Sequence, residues 1–175
     1  MLGYFLLEDP DIYDTILNII DEYRAKVNQY NKSVGLDQIA ARILRPDDQI
    51  IGATAETYSD TYTDATDEYL LPASSDVPTR VPTGQGVLHM GWKCDIDLGG
   101  DGILQVDLEG IKRQEVNARM AYDMPFHLYI EPQQIVFARE NDKLAWIIHN
   151  SAGLDMTGVI FPFAFLIGPR KQLLV

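Results

Sequence analysis

The chain has 175 residues, 46% of them hydrophobic and 23% charged, and a formal net charge of -12. That length and balance suit one globular domain with its own core and exclude a disordered chain. Nucleic acid and anionic membranes both call for clustered Lys and Arg, which so acidic a chain does not offer, and a single cysteine, Cys94, excludes an internal disulfide framework.

The opening MLGYFLLEDP is apolar but lacks a basic region and a cleavage-site pattern, so no signal peptide is expected. No apolar run is long enough to span a bilayer. Residues 1–45 read as a helical segment. Asp9 is placed to cap a helix, with Pro10 in its first turn. Ile12, Ile16, Ile19, Tyr23, Val27 and Tyr30 then recur every three or four residues, which makes one apolar stripe on a helix ending near Asn31. Glu22 and Lys26 stand one turn apart on the polar side, spaced for an ion pair. The stripe either packs on the rest of the domain or meets neighbouring copies, and these six residues are the candidate apolar interface.

Residues 46–86 change in character. From Pro46 to Thr79 there is no Lys or Arg and there are eight carboxylates. In ETYSDTYTDATDEYLL, Thr and Tyr alternate with acids, a pattern for exposed strands. LPASSDVPTRVPTGQG has the Pro, Ser and Gly content of a loop.

Residues 87–175 read as an antiparallel β domain. Candidate strands are Val87–Leu98, Ile103–Gly110, Glu115–Tyr122, Phe126–Glu131, Gln134–Glu140, Lys143–His149 and Thr157–Ile167, with turn signals between them. No βαβ alternation is present. The expected fold is mainly β: an antiparallel β-sandwich or jelly roll with an N-terminal amphipathic helix.

The stretch DIDLGGDG, residues 95–102, either wraps a cation or turns the chain. As an EF-hand loop it has Asp95, Asp97 and Gly100 in place, but Val106 stands where a bidentate glutamate belongs. As a hairpin turning at Gly100–Gly102, it sets Leu98 opposite Leu104, Ile96 opposite Val106 and Cys94 opposite Leu108, with polar residues on the other face. The hairpin is the expected structure. It places Asp95 opposite Asp107, a like-charge pair, so Asp95, Asp97 and Asp107 are the candidate calcium ligands. A second hairpin is expected at Asn141-Asp142, pairing Phe137 with Trp146 and Ile135 with Ile148, and Val136 with Ile147 on the opposite face.

Residues able to do chemistry are scattered. His89, His127 and His149 lack metal-ligand spacing, and Ser151 lacks a nucleophile elbow. Cys94 is expected in the core as inert packing, and no glycine-rich phosphate loop opens a helix. No catalytic residue and no cofactor beyond possible calcium is assigned, and a non-enzyme is the expected class.

PFHLYIEP, the following apolar strands, HNSAGLD and the final strand ending in LIG carry the one likeness to known proteins. Over about Pro125 to Arg170 the pattern resembles the closing strands of β-sandwich and jelly-roll structural proteins of prokaryotic virus particles. The resemblance implies a structural role in a capsid, spike, tail or connector, and so a place in the virion; without it, a cytoplasmic protein is expected. The partners expected are further copies of the chain and other structural proteins. Arg170 and Lys171 in the basic segment GPRKQLLV are candidate interface residues, since they can meet the acidic Asp47–Glu68 of an adjacent copy head to tail. The competing expectation is a monomeric module binding a glycan or peptide through Tyr58, Tyr62 and Tyr69.

Overall fold

The computed structural model describes residues 10–31, 39–51, 57–72, 80–123, 127–128 and 134–173, without the side chains of residues 10–13, 29–31 and 127. The apolar spacing near the start gives helix α1, Pro10–Asn31. Ile16, Tyr23 and Val27 are buried and Ile19 is half-buried, so of the two alternatives the stripe takes the first and packs on the chain's own sheet. Ile20 joins them, because a face wide enough to cover a sheet takes in neighbours on both sides of the narrow stripe. The side chains of Ile12 and Tyr30 lie outside the described residues. Glu22 and Lys26 form the expected ion pair at 2.7 Å. Among the described residues no helix is long and apolar enough to cross a membrane.

The strands form two antiparallel sheets packed face to face, a mainly β sandwich as expected. Sheet 1 is built on β10 (Met156–Pro169), whose start pairs with β2 (Ser59–Tyr62) and whose end pairs with β1 (Ile39–Ile43). On the edge away from β1, β10 pairs with β4 (Gly86–Cys94), which carries β7 (His127–Leu128) and β8 (Val136–Ala138). Sheet 2 has the order β3 (Asp67–Tyr69), β9 (Leu144–His149), β5 (Ile103–Leu108), β6 (Ile111–Asn117). β4 and the second half of β10 are buried residue after residue rather than alternately, since sheet 2 covers one face and α1 the other. On the helix side the Tyr23 and Phe137 rings meet at 4.6 Å. A Cβ on Gly86 would lie within 3.0 Å of Val27 and Phe137, so the missing side chain is what seats the helix there.

Both expected hairpins give way to crossings between the sheets. β4 and β5 lie in different sheets, and so do β8 and β9, so neither Ile96–Val106 nor Phe137–Trp146 is a cross-strand pair. The buried side is nevertheless as expected: Cys94, Ile96, Leu98, Leu104 and Val106 all lie in the core. Alternation identifies the inward face, but two inward faces can meet across a sandwich as readily as along a ladder. Consecutive strands do pair at β5–β6, turned by Glu109 and Gly110 with φ of 54° and 74°, the left-handed pair of a type I′ turn. The strand expected at Glu115–Tyr122 is also divided. β6 ends at Asn117, whose Oδ1 accepts the Arg119 N–H at 2.9 Å and caps the short helix α2, Ala118–Asp123.

DIDLGGDG is the crossing from sheet 1 to sheet 2. The Asp95 N–H still bonds Val159 O, the Gly99 N–H donates to Asp97 Oδ1, and the Gly102 N–H donates to Gly99 O. Asp95 pairs with Lys93 at 2.6 Å and does not face Asp107, which opposes Lys112 and Ala145. Gly99 has φ of 83°, and a Cβ there would fall 2.4 Å from Ser151 O, whereas one on Gly100 would meet nothing within 4 Å. Gly99→Ala should therefore cost at least about 2 kcal/mol, through left-handed strain plus the backbone clash, and Gly100→Ala less than about 0.5 kcal/mol. Urea unfolding of the two variants checks this, and equal midpoints would contradict the crossing geometry.

Candidate functional site

His89, on β4, is fully buried; its Nδ1 accepts the Trp146 Nε1–H from β9 at 3.2 Å, across the sandwich. His89 pairs with Ala164 and Gly91 with Phe163, so Met90 is an extra residue, and this bulge brings the Trp92 ring to 5.0 Å from the imidazole. Burial lowers the His89 pKa to about 3, which makes it a neutral acceptor. Cys94 lies in the core as expected; its Sγ donates to Ile96 O at 3.0 Å, and burial pushes the thiol up to about 11. Such a thiol is packing rather than a nucleophile. The side chain of His127 lies outside the described residues, and Ser151 Oγ is bound to Leu98 O.

The candidate calcium ligands are not brought together around a common point. Asp95 holds Lys93, Asp97 accepts Gly99 N–H, and Asp107 accepts Gln105 Nε2–H at 2.7 Å. Among the described residues no three His, Cys, Asp or Glu stand together as metal ligands would. Two of the three tyrosines expected to face a ligand are in the core instead. Tyr58 donates to Leu44 O at 3.0 Å, Tyr62 is 1% exposed, and burial raises the pKa of both. Tyr69 remains half-buried on β3.

The open surface features lie at the two ends of β10. Beside its start are Asp60, opposite Gly158, and Asp64, Asp67, Glu68 and Asp155. Asp155 accepts the Asp64 N–H, Asp64 accepts the Gly153 N–H, and Glu68 takes both the N–H and the hydroxyl of Thr63. Asn150, fully buried, donates to Tyr62 O and Leu154 O and so fixes the loop that carries Leu154 and Asp155. At this end a groove of about 360 Å³ runs over sheet 2, lined by Asp67, Asp101, Ile103, Gln105, Ile147 and His149. His149 Nδ1 and Asp67 Oδ1 are 2.7 Å apart.

At the other end, β10 runs into the short helix α3, Arg170–Leu173, where Arg170 and Lys171 are exposed. Arg42 is the hub here: it grips Asp48 through two nitrogens at 2.8 and 2.5 Å, and its Nε donates to Leu173 O at 2.9 Å. The Asp48 bond raises the Arg42 pKa against the opposing effect of burial. Arg24 bonds Asp21 and Ile39 O beside a groove of about 570 Å³ that also reaches Arg170. The acidic stretch Asp47–Glu68 is thus divided in space, with Asp47 and Asp48 among these basic groups and Asp60–Glu68 at the far end. Sequence reasoning missed Arg42, Asn150 and the sheet 2 groove. Only the turn signal in RPDD, one residue after β1, hints at the Arg42–Asp48 pair.

His89 gives the fold a pH signature. In an unfolded chain the imidazole binds a proton near pH 6.5, and in the fold only at about 3. The unfolded state therefore holds the extra proton across this window. The contribution is fully present above the unfolded pKa and is lost as pH falls, by about 1.4 kcal/mol per pH unit. The urea midpoint should drop on acidification from neutral to about pH 5, and the His89→Gln variant should show a shallower drop. Identical slopes in the two proteins would contradict a neutral buried imidazole.

Comparison with protein-family models, with curated proteins and with solved structures returned no match to this chain.

Proposed function

We propose that the chain is a non-enzymatic structural or assembly protein that works as an oligomer, as a component of a virus particle such as a shell, spike, tail or connector. The separation of charge along β10 carries the reading. The strand has 14 residues, which at about 3.3 Å each span roughly 45 Å. Arg170 and Lys171 at one end therefore cannot reach Asp64, Asp67 and Asp155 at the other end of the same copy. Opposite charges on opposite ends suit head-to-tail contacts, which either close into rings or continue as filaments. Exposed Leu154 adds apolar area at the acidic end.

The partners on this reading are further copies and other structural proteins of a virion, the setting suggested by the resemblance of the closing strands. A monomeric ligand-binding module is the competing reading. With Tyr58 and Tyr62 in the core, it retains one of its three rings. Size-exclusion chromatography with light scattering, over a range of concentration and salt, tests the proposal. The mass should rise above 19.7 kDa with concentration and fall back at high salt, as contacts between exposed charges do. A mass fixed at that of one chain under every condition would contradict self-assembly and favour the binding module.

A further inference from the structure

We infer that the sheet 2 groove lined by Asp67, Asp101, Ile103, Gln105, Ile147 and His149 receives Arg170 of a second copy, and that this is the contact joining copies head to tail. The inference rests on the assembly reading and supplies its docking surface. The lining has the composition an arginine needs. Ile103 and Ile147 present apolar surface for the aliphatic stem. Asp67 and Asp101 are exposed carboxylates beside them, and Gln105 offers a side-chain carbonyl. His149 engages Asp67 Oδ1, which leaves Oδ2 for a guanidinium.

The groove is also rigid. Asp67, His149 and Ile103 stand in one row across three neighbouring strands, and Ile147 and Gln105 pair in the next row. Asp101 is held beside them by the Gly99–Gly102 turn. Such a surface needs no reordering to accept a side chain.

Arg170 is the occupant because of its exposure and its place in the fold, while seven of the other cations among the described residues are held in ion pairs within the chain. Pairs run from Arg24–Asp21 and Lys26–Glu22 through Arg42–Asp48 and Lys93–Asp95 to Arg119–Asp123. Arg170 is exposed and makes no ion pair among the described residues. It follows Pro169, the last residue of β10, and is displayed at the end of the molecule opposite the groove. Donor and acceptor on opposite ends give a heterologous contact, so each copy offers one of each to its neighbours.

Two charge-reversed variants test the contact. One carries Arg170→Glu with Lys171→Glu, and the other Asp67→Arg with Asp101→Arg. All four side chains are exposed, and circular dichroism with thermal melting verifies that both variants keep the fold. Each variant alone should self-associate at least about tenfold more weakly than the unaltered chain. An equimolar mixture should regain association, since every contact between unlike variants is again one of opposite charge. Association of either variant at the unaltered strength, or a mixture that stays monomeric, would overturn the groove contact. Undiminished association of both variants would overturn the groove contact alone and leave the assembly reading standing; an unaltered chain that never associates would overturn both.

Discussion

β4 and the second half of β10 are covered on both faces, so everything else attaches to this pair at an edge or beyond an end. Sheet 2 takes one face and α1 the other, and the absence of a side chain at Gly86 lets the helix approach. The edges are then occupied by short strands: β1 and β2 on β10, and β7 and β8 on β4. A long central strand with filled edges leaves its two ends as the places where polar residues gather. Where the acidic and basic side chains gather is thus a consequence of how the core is covered.

A few buried polar groups hold those ends in place. His89 accepts from Trp146 across the sandwich, Asn150 fixes the loop before β10, and Arg42 ties β1 to Asp48 and to Leu173 after β10. A neutral bond of this kind contributes about 1 kcal/mol. Breaking a largely buried ion pair by removing one partner costs more, about 3 kcal/mol or above, because a charge is left uncompensated. Asn150 and Arg42 each sit where β10 begins or ends, so the same contacts that stabilise the sandwich position the acidic and basic surfaces.

Much of the fold was legible in the sequence because one-dimensional periodicity reports burial. The α1 stripe, β4, β5, β9 and β10 and the inward orientation of Cys94, Ile96, Leu98, Leu104 and Val106 follow from it, whereas β1 lies in the stretch read as helical and β6 begins four residues before the strand expected there. Strand partners did not follow. A turn signal such as Asn141-Asp142 marks a reversal, and a sandwich uses reversals to change sheets as well as to form hairpins. Tyr58 and Tyr62 were misplaced for a related reason: a strand of Thr, Tyr and Asp has an inward face too, and there the rings are the residues that bury. The sheet 2 groove joins Asp67, Asp101 and His149, which are far apart in the chain and meet only through strand order that no local pattern encodes.

Zero-length chemical coupling can trap the head-to-tail contact between copies. A carbodiimide joins a lysine amine to a carboxylate in contact with it, and mixing heavy-isotope and ordinary copies separates links between chains from links within one. Mixed-isotope peptides joining Lys171 to Asp67 or Asp101 are the expected products. If Lys171 yielded no mixed-isotope link to either residue, and only pairs within a chain such as Lys93–Asp95 were coupled, the contact would be contradicted.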